Sequence, residues 1–429
     1  MRKLSMGKGR LLSAALVVGV AMASASPAFA ADKKKEVAAP TGPKISLSKG
    51  FQPIALAAQK AIDAAKADPA TAPAARTALD AALAAATTND EKFFAGQLAV
   101  NLGGAAKDPA LQRRGLQLMV DSNKTPADNG KYNFFISSLA YNAKDYAAAQ
   151  AAAQAAINAG YSVDESVGIL SESYFTQNQN TQGLAALKQA VTAKRAAGKP
   201  VPESWLKRAI SVAYKNKLTA EATEWSTLQL ELYPTPLNWL GTTQLVRLVG
   251  NYSTNETIDL FRLMWRSGAF DNDPKIVANE YKEYVEAADP RRLPGETLAV
   301  IDKARAGGIL REQWVSDARA LAAGRIAADK ASLTAASARA LASGTGLDAL
   351  STGDAYLNYG DAAKAEALYK AALGKSGVDK DRVLTRLGIA QYDQGKYADA
   401  KASFSQIGGQ RAAMAKLWLM LVKAKSPTV

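Results

Sequence analysis

The chain has no cysteine and no histidine in 429 residues. Without cysteine there is no disulfide, no thiol nucleophile and no acylated cysteine to tether the chain to a bacterial membrane. Without histidine there is no Ser-His-Asp triad, and with both missing there is no His- or Cys-based zinc site. No phosphate loop of the G-x-x-x-x-G-K-[ST] form is present, and "GTGLDALSTGD" has the wrong spacing for one. Aromatics are sparse, at 7%. No apolar run reaches the ~20 residues that a membrane-spanning helix needs. Of the common catalytic devices, paired carboxylates or a lone glutamate acid remain.

The beginning of the chain is patterned. Met1 to Arg10 carries four basic residues and no acidic one, and "LLSAALVVGVAMA" follows. Ala28-Phe29-Ala30 completes the order of a secretory signal peptide, so residues 1–30 are expected to be removed. An exported, disulfide-free protein of this size fits a bacterial periplasm. The net charge of +14 then falls to +10. Residues 31–50 lack periodicity and read as a disordered leader. Lys33-Lys34-Lys35 within it is either a solvated charge run or a weak attraction to an anionic membrane or wall polymer. The basic residues elsewhere are dispersed among acids, which together with the compartment argues against nucleic acid. No integral membrane segment is expected after cleavage.

A long period governs the C-terminal part. "GDAYLNYGDAAKAEALYKAAL" from Gly353 aligns with "GIAQYDQGKYADAKASFSQI" from Gly388, 35 residues on. Gly353 matches Gly388, Gly360 matches Gly395, Ala365 matches Ala400, and Tyr369 matches Phe404. Glycine costs a helix ~1 kcal/mol relative to alanine, so these glycines need a reason. A missing side chain at Gly353 lets two helices cross closely, and Gly360 stands where a helix ends in a left-handed residue. The same register recurs around Ser137, Ser171 with Tyr174 and Gly183, and Ser211 with Tyr214.

These features resemble the tetratricopeptide repeat, a pair of antiparallel helices some 34 residues long, in its secreted form from Gram-negative bacteria. The resemblance implies an all-α solenoid of stacked antiparallel helix pairs, degenerate in the middle and at the N-terminus. The expected organisation is N-terminal helical repeats over 51–130 and clearer repeats over 131–234. Degenerate helical repeats follow over 235–345, then C-terminal repeats and a capping helix over 346–429. Alanine-rich segments before Lys131 give three or four helices.

In the family the first helix of each pair lines a concave face. Here that face would carry Phe134, Tyr141, Asn142, Phe175, Trp205, Arg208, Lys215, Asn216, Asn358 and Tyr392. Rings beside amides suit an extended peptide, although Tyr141, Phe175 and Tyr392 would equally serve as packing between repeats. The family's clamp for C-terminal carboxylates needs a Lys and Asn pattern absent at these positions.

The expectation is a non-enzymatic periplasmic scaffold for a protein or peptide partner in the cell envelope or its secretion machinery, with no cofactor and no metal. Two alternatives come from other classes. A polysaccharide or cell-wall binding module would use the positive charge. A wall-glycan enzyme would use Glu172, since "SESYF" resembles the Glu-Ser motif of lytic transglycosylases and "AYNA" another of their motifs. The two motifs stand in the wrong order here, and the Gly-Leu-Met-Gln segment is missing.

Overall fold

The computed structural model describes residues 43–342 and 345–426. The expected signal peptide and most of the leader lie outside the described residues. Among these residues there are twenty α-helices and no strand, and no helix is long and apolar enough to cross a membrane. The chain divides into two compact units, one ending at Ala193 and the other beginning at Lys194. That boundary falls inside the stretch 131–234 rather than at an edge of it.

The first unit stacks antiparallel pairs: α1 (Phe51–Ala67) with α2 (Ala72–Ala85), α3 (Asn89–Ala105) with α4 (Pro109–Asp121), and α5 (Asn129–Asn142) with α6 (Tyr146–Asn158). Then come α7 (Val163–Thr176) and α8 (Asn180–Ala196), within which the unit boundary falls. Residues 43–50, expected to belong to a disordered leader, instead dock on this unit. The Ser46 amide donates to Asp90 at 2.7 Å and the Ser48 amide to Glu91 at 3.3 Å, while Ile45 and Leu47 pack on the apolar core. Glu91, wholly buried, also accepts from the amides of Thr87 and Thr88, closing a capping box. The Ser48 contact, with those of Thr88 and Thr87, holds its carboxyl far below the usual carboxylate range.

The second unit holds α9 (Glu203–Lys215) and α10 (Thr219–Leu232), α11 (Pro236–Gly250) and α12 (Thr254–Arg266), and α13 (Pro274–Ala288) and α14 (Pro294–Ala306). A 30-residue helix, α15 (Gln313–Ala342), follows. Then come α16 (Gly346–Asn358) with α17 (Ala362–Leu373), α18 (Lys380–Asp393) with α19 (Tyr397–Phe404), and α20 (Ala412–Lys425). Consecutive helices pack on one another from α1 to α7 and again from α9 to α20, so each unit has the architecture of an all-α helical-repeat solenoid.

One turn builds most of these pairs. Lys107, Lys144, Asn178, Lys217, Gly360 and Gly395 all have left-handed backbones, with φ between 54° and 79°. In each case the next residue's amide reaches back five positions to a carbonyl, as Asp145 to Ala140 at 2.9 Å and Asp361 to Tyr356 at 3.0 Å. This satisfies a carbonyl that the helix end would leave open. The sequence shows the signal clearly only where the left-handed residue is glycine. The α3–α4 pair therefore belongs to the same series although its sequence carries no glycine at the left-handed position. Its helices cross at Gly96 and Gly115, where a Cβ on either would come within 2.7 Å of the other's carbonyl oxygen.

Gly353 does what its position implies. A Cβ there would stand 2.7 Å from the ring of Tyr369, and one on Gly388 would stand 2.6 Å from the ring of Phe404. Both rings are fully buried. Gly353→Leu is expected to cost ~1–3 kcal/mol by overpacking. Ala363→Lys on the exposed side of α17 should stay within ~0.5 kcal/mol. Chemical denaturation compares the two, and equal effects would refute the register.

The middle of the chain keeps its helix pairs but fills them differently. Phe261 stacks on Tyr284 with centres 5.1 Å apart, and Phe270 lies 4.5 Å from Tyr281. Large rings take the space that small residues leave elsewhere, so the repeat signature fades while the fold continues. The last helix buries Trp418 and Leu421 as expected. It does more than cap the stack, because α20 also packs on α11 and α12.

Candidate partner-binding site

The second unit closes on itself through buried charge. Asp259 of α12 is completely buried and accepts from Arg262 at 3.0 Å, Arg386 of α18 at 3.1 Å and Arg411 beside α20 at 2.8 Å. Arg411 also reaches Glu256 at 2.7 Å, and Arg386 pairs with Asp354. Arg262 grips Glu296 of α14 with two nitrogens, at 2.9 and 2.7 Å, and Tyr284 donates to the same carboxylate at 2.6 Å. Nearer the surface Arg266 holds Asp393 in a similar fork. Burial pushes the Asp259 carboxyl up, but Arg386, Arg411 and Arg262 outweigh it and bring it down to about 2. For Glu296 too, burial is outweighed by Arg262 and Tyr284, and its carboxyl lies below the usual range. Neither carboxyl keeps a proton at neutral pH, so neither can serve as a general acid there. The cluster is a latch that holds α12 and α14 against the inner helices α16 and α18.

The latch takes up one of the residues expected to meet a partner, and packing takes up three more. Asn358 is buried, its Oδ1 accepting the Glu296 amide at 2.8 Å. Tyr392 is buried with its ring 5.9 Å from Trp418 and 5.5 Å from Tyr397. Trp205 is buried with the Lys194 ammonium 5.5 Å from its ring centre. In the first unit Phe175 is buried with its ring over Gly183. Phe134, Tyr141 and Arg208 are half-buried, while Asn142, Lys215 and Asn216 are exposed. Phe134 touches Tyr161, Tyr141 meets Tyr146 edge-on, and the Asn216 amide donates back to Val212. Glu172 is half-buried on α7.

The open groove lies elsewhere, across α9, α10 and α11. Its volume is about 260 Å³, and none of the ten expected residues lines it. Tyr214, Leu237 and Leu248 form its rim and are 56%, 54% and 66% exposed. Its floor carries Gln229, Asn238 and Gln244. The Gln229 and Asn238 amino groups both turn to Glu203, at 3.0 and 3.2 Å, and that of Gln244 turns to Glu280. A carboxylate can only accept, so the three amides are fixed with their carbonyl oxygens turned away from it. Those oxygens accept no hydrogen bond among the described residues. Gly241, also lining the groove, has open space where a Cβ would be. The groove therefore sets three amide side chains, their amino groups already committed, between apolar walls.

One signal for it was present in the sequence. Leu237, Gly241, Gln244 and Leu248 recur at helical spacing opposite the buried Trp239 and Val246, so α11 is apolar on two sides. A helix of that kind in a surface layer either is buried twice or presents a second face. No protein-family model matches the chain, and no curated protein matches it either.

Proposed function

We propose that the protein is an exported, non-enzymatic scaffold of the bacterial cell envelope, built from secreted-type tetratricopeptide hairpins, that holds an extended segment of a partner protein in the α9–α11 groove. The observation that carries the reading is the groove floor. Three amide side chains whose amino groups are held by carboxylates, which leaves their oxygens as the free groups, lie between exposed apolar side chains. An extended peptide presents the complement: backbone N–H donors, and side chains that alternate to either side. Localisation rests on the order of Arg10, the apolar run and Ala28-Phe29-Ala30. The reading requires no cofactor, metal or nucleic acid.

Selection from a random peptide library on residues 31–429 tests it. Selected peptides are expected to carry apolar residues at alternate positions, and N-methylation of a central amide should weaken them by about tenfold, the value of one charge-free hydrogen bond left unmade. A library that yields no common pattern, or binders indifferent to N-methylation at every position, would sink the proposal. Because the scaffold is non-enzymatic, Glu172→Gln should leave wall-glycan release at background, where the unaltered protein also stands. Release by the unaltered protein that this change abolished would replace the scaffold with a transglycosylase.

A further inference from the structure

A second cavity, of about 460 Å³, opens between α12, α14, α15 and α16. Its volume falls within the range of small-molecule sites. Its charged lining residues are Arg262, Arg266 and Lys330 against Glu296 and Asp302. Most of them are already committed. Arg262 holds Glu296, Arg266 holds Asp393 and Arg319 holds Asp302. Lys330 is the exception, with no carboxylate in ion-pair range among the described residues. Its ammonium stands 5.1 Å from the centre of the Tyr359 ring. The neighbouring Asp329 is engaged by the Tyr359 hydroxyl at 3.2 Å and faces Arg325 at 3.8 Å. The cavity thus keeps one positive charge in excess, placed at its α15 wall.

Apart from Asn358, whose Oδ1 is taken by the Glu296 amide, the remaining side chains are apolar or aromatic, with Trp265, Leu298, Ile326 and Leu357 beside Tyr359. Lys303 stands over Trp265 with its ammonium 4.6 Å from the ring centre and is itself paired with Asp271. Gly295 keeps the α14 end close to α16, since a Cβ there would meet the Asn358 carbonyl at 2.7 Å. The walls are fixed by packing and by the latch, so the space exists before anything enters it. A net single charge beside rings and aliphatic side chains selects one negative group on an apolar body.

We propose that this cavity binds a small monoanionic ligand, a carboxylate carried on an aromatic body, with Lys330 as its ion-pair partner and Trp265 and Tyr359 as its ring contacts. The site is independent of the α9–α11 groove, and neither stands or falls with the other. Calorimetric titration of residues 31–429 with indole-3-propionate and its uncharged amide tests it. At low salt the acid is expected to bind about fivefold tighter than the amide, the size of a half-exposed ion pair. Lys330→Gln, an exposed change, should bring the acid to the level of the amide and leave the amide where it was. No saturable binding of either compound, equal binding of both, or discrimination that survives in Lys330→Gln would overturn the assignment. A peptide ending in a free tryptophan carboxylate that bound far more tightly than the small acid would overturn it too, in favour of a chain terminus.

Discussion

Replacing Asp259 by asparagine is expected to destabilise the second unit by ~3–5 kcal/mol. The size follows from what remains behind. Asp259, Arg262, Arg386 and Arg411 are each at most 3% exposed. Asparagine keeps the shape but removes the one negative charge that three guanidinium groups share, weakening three ion pairs together. Glu256, Glu296 and Asp354 still pair Arg411, Arg262 and Arg386 in turn, so the cost is that of three buried charge-assisted hydrogen bonds weakened at once, not of an unpaired cation. The readout is specific. All six tryptophans lie after Lys194, so tryptophan fluorescence during urea unfolding reports the second unit alone. A loss below ~1 kcal/mol would mean that the latch contributes little.

The same cluster fixes a pH dependence. The folded Asp259 carboxyl, at about 2, lies below its ordinary 3.8, so the folded state favours the ionised form. The stabilisation is present above the ordinary value and is lost as pH falls through about 2. Glu256 and Glu296 are shifted the same way. The second unit should therefore loosen between about pH 4 and pH 2, and Asp259→Asn should flatten that part of the profile.

What the sequence disclosed was what is local. Gly353, Gly360, Gly388 and Gly395 show their purpose within 35 residues, because a helix crossing and a helix stop each depend on near neighbours. Upstream, Lys107, Lys144, Asn178 and Lys217 adopt the same left-handed turn, but lysine is compatible with many positions and so announces none of them. The latch was illegible for a different reason. Asp259 meets Arg386 and Arg411 across 127 and 152 residues, and each alone reads as a solvated charge on a helix. With the latch unseen, Asn358 reads as part of an open face, whereas it is covered by α14 through Glu296, and Tyr392 is covered by Tyr397 and Trp418. Tyr214 is visible in the sequence only as a member of the repeat register, which does not say which way it faces, and it stands 56% exposed.

Filling the α9–α11 groove from within should abolish partner capture without harming the fold, and Gly241→Leu does this. Its Cβ enters open space in the free protein, and the helix gains, since interior glycine costs ~1 kcal/mol relative to alanine. The variant should unfold at the same temperature as the parent or a few degrees higher. A partner segment seated between Tyr214, Leu237 and Leu248 would then meet the added side chain, and its affinity should fall at least thirtyfold. Tyr214→Ala with Leu248→Ala approaches the same surface by removal. Truncating anchors in a binding groove costs ~2 kcal/mol or more, again roughly thirtyfold. Both rim residues are more than half exposed, so their loss should leave unfolding almost unchanged. The two variants fail differently if the groove is wrong. A partner held on the Phe134 and Tyr141 face would ignore both changes, and Tyr141→Ala with Asn142→Ala would weaken it instead. Binding that survives Gly241→Leu at full strength therefore removes the groove from the mechanism, and capture lost only with Tyr141 and Asn142 moves the site to the first unit.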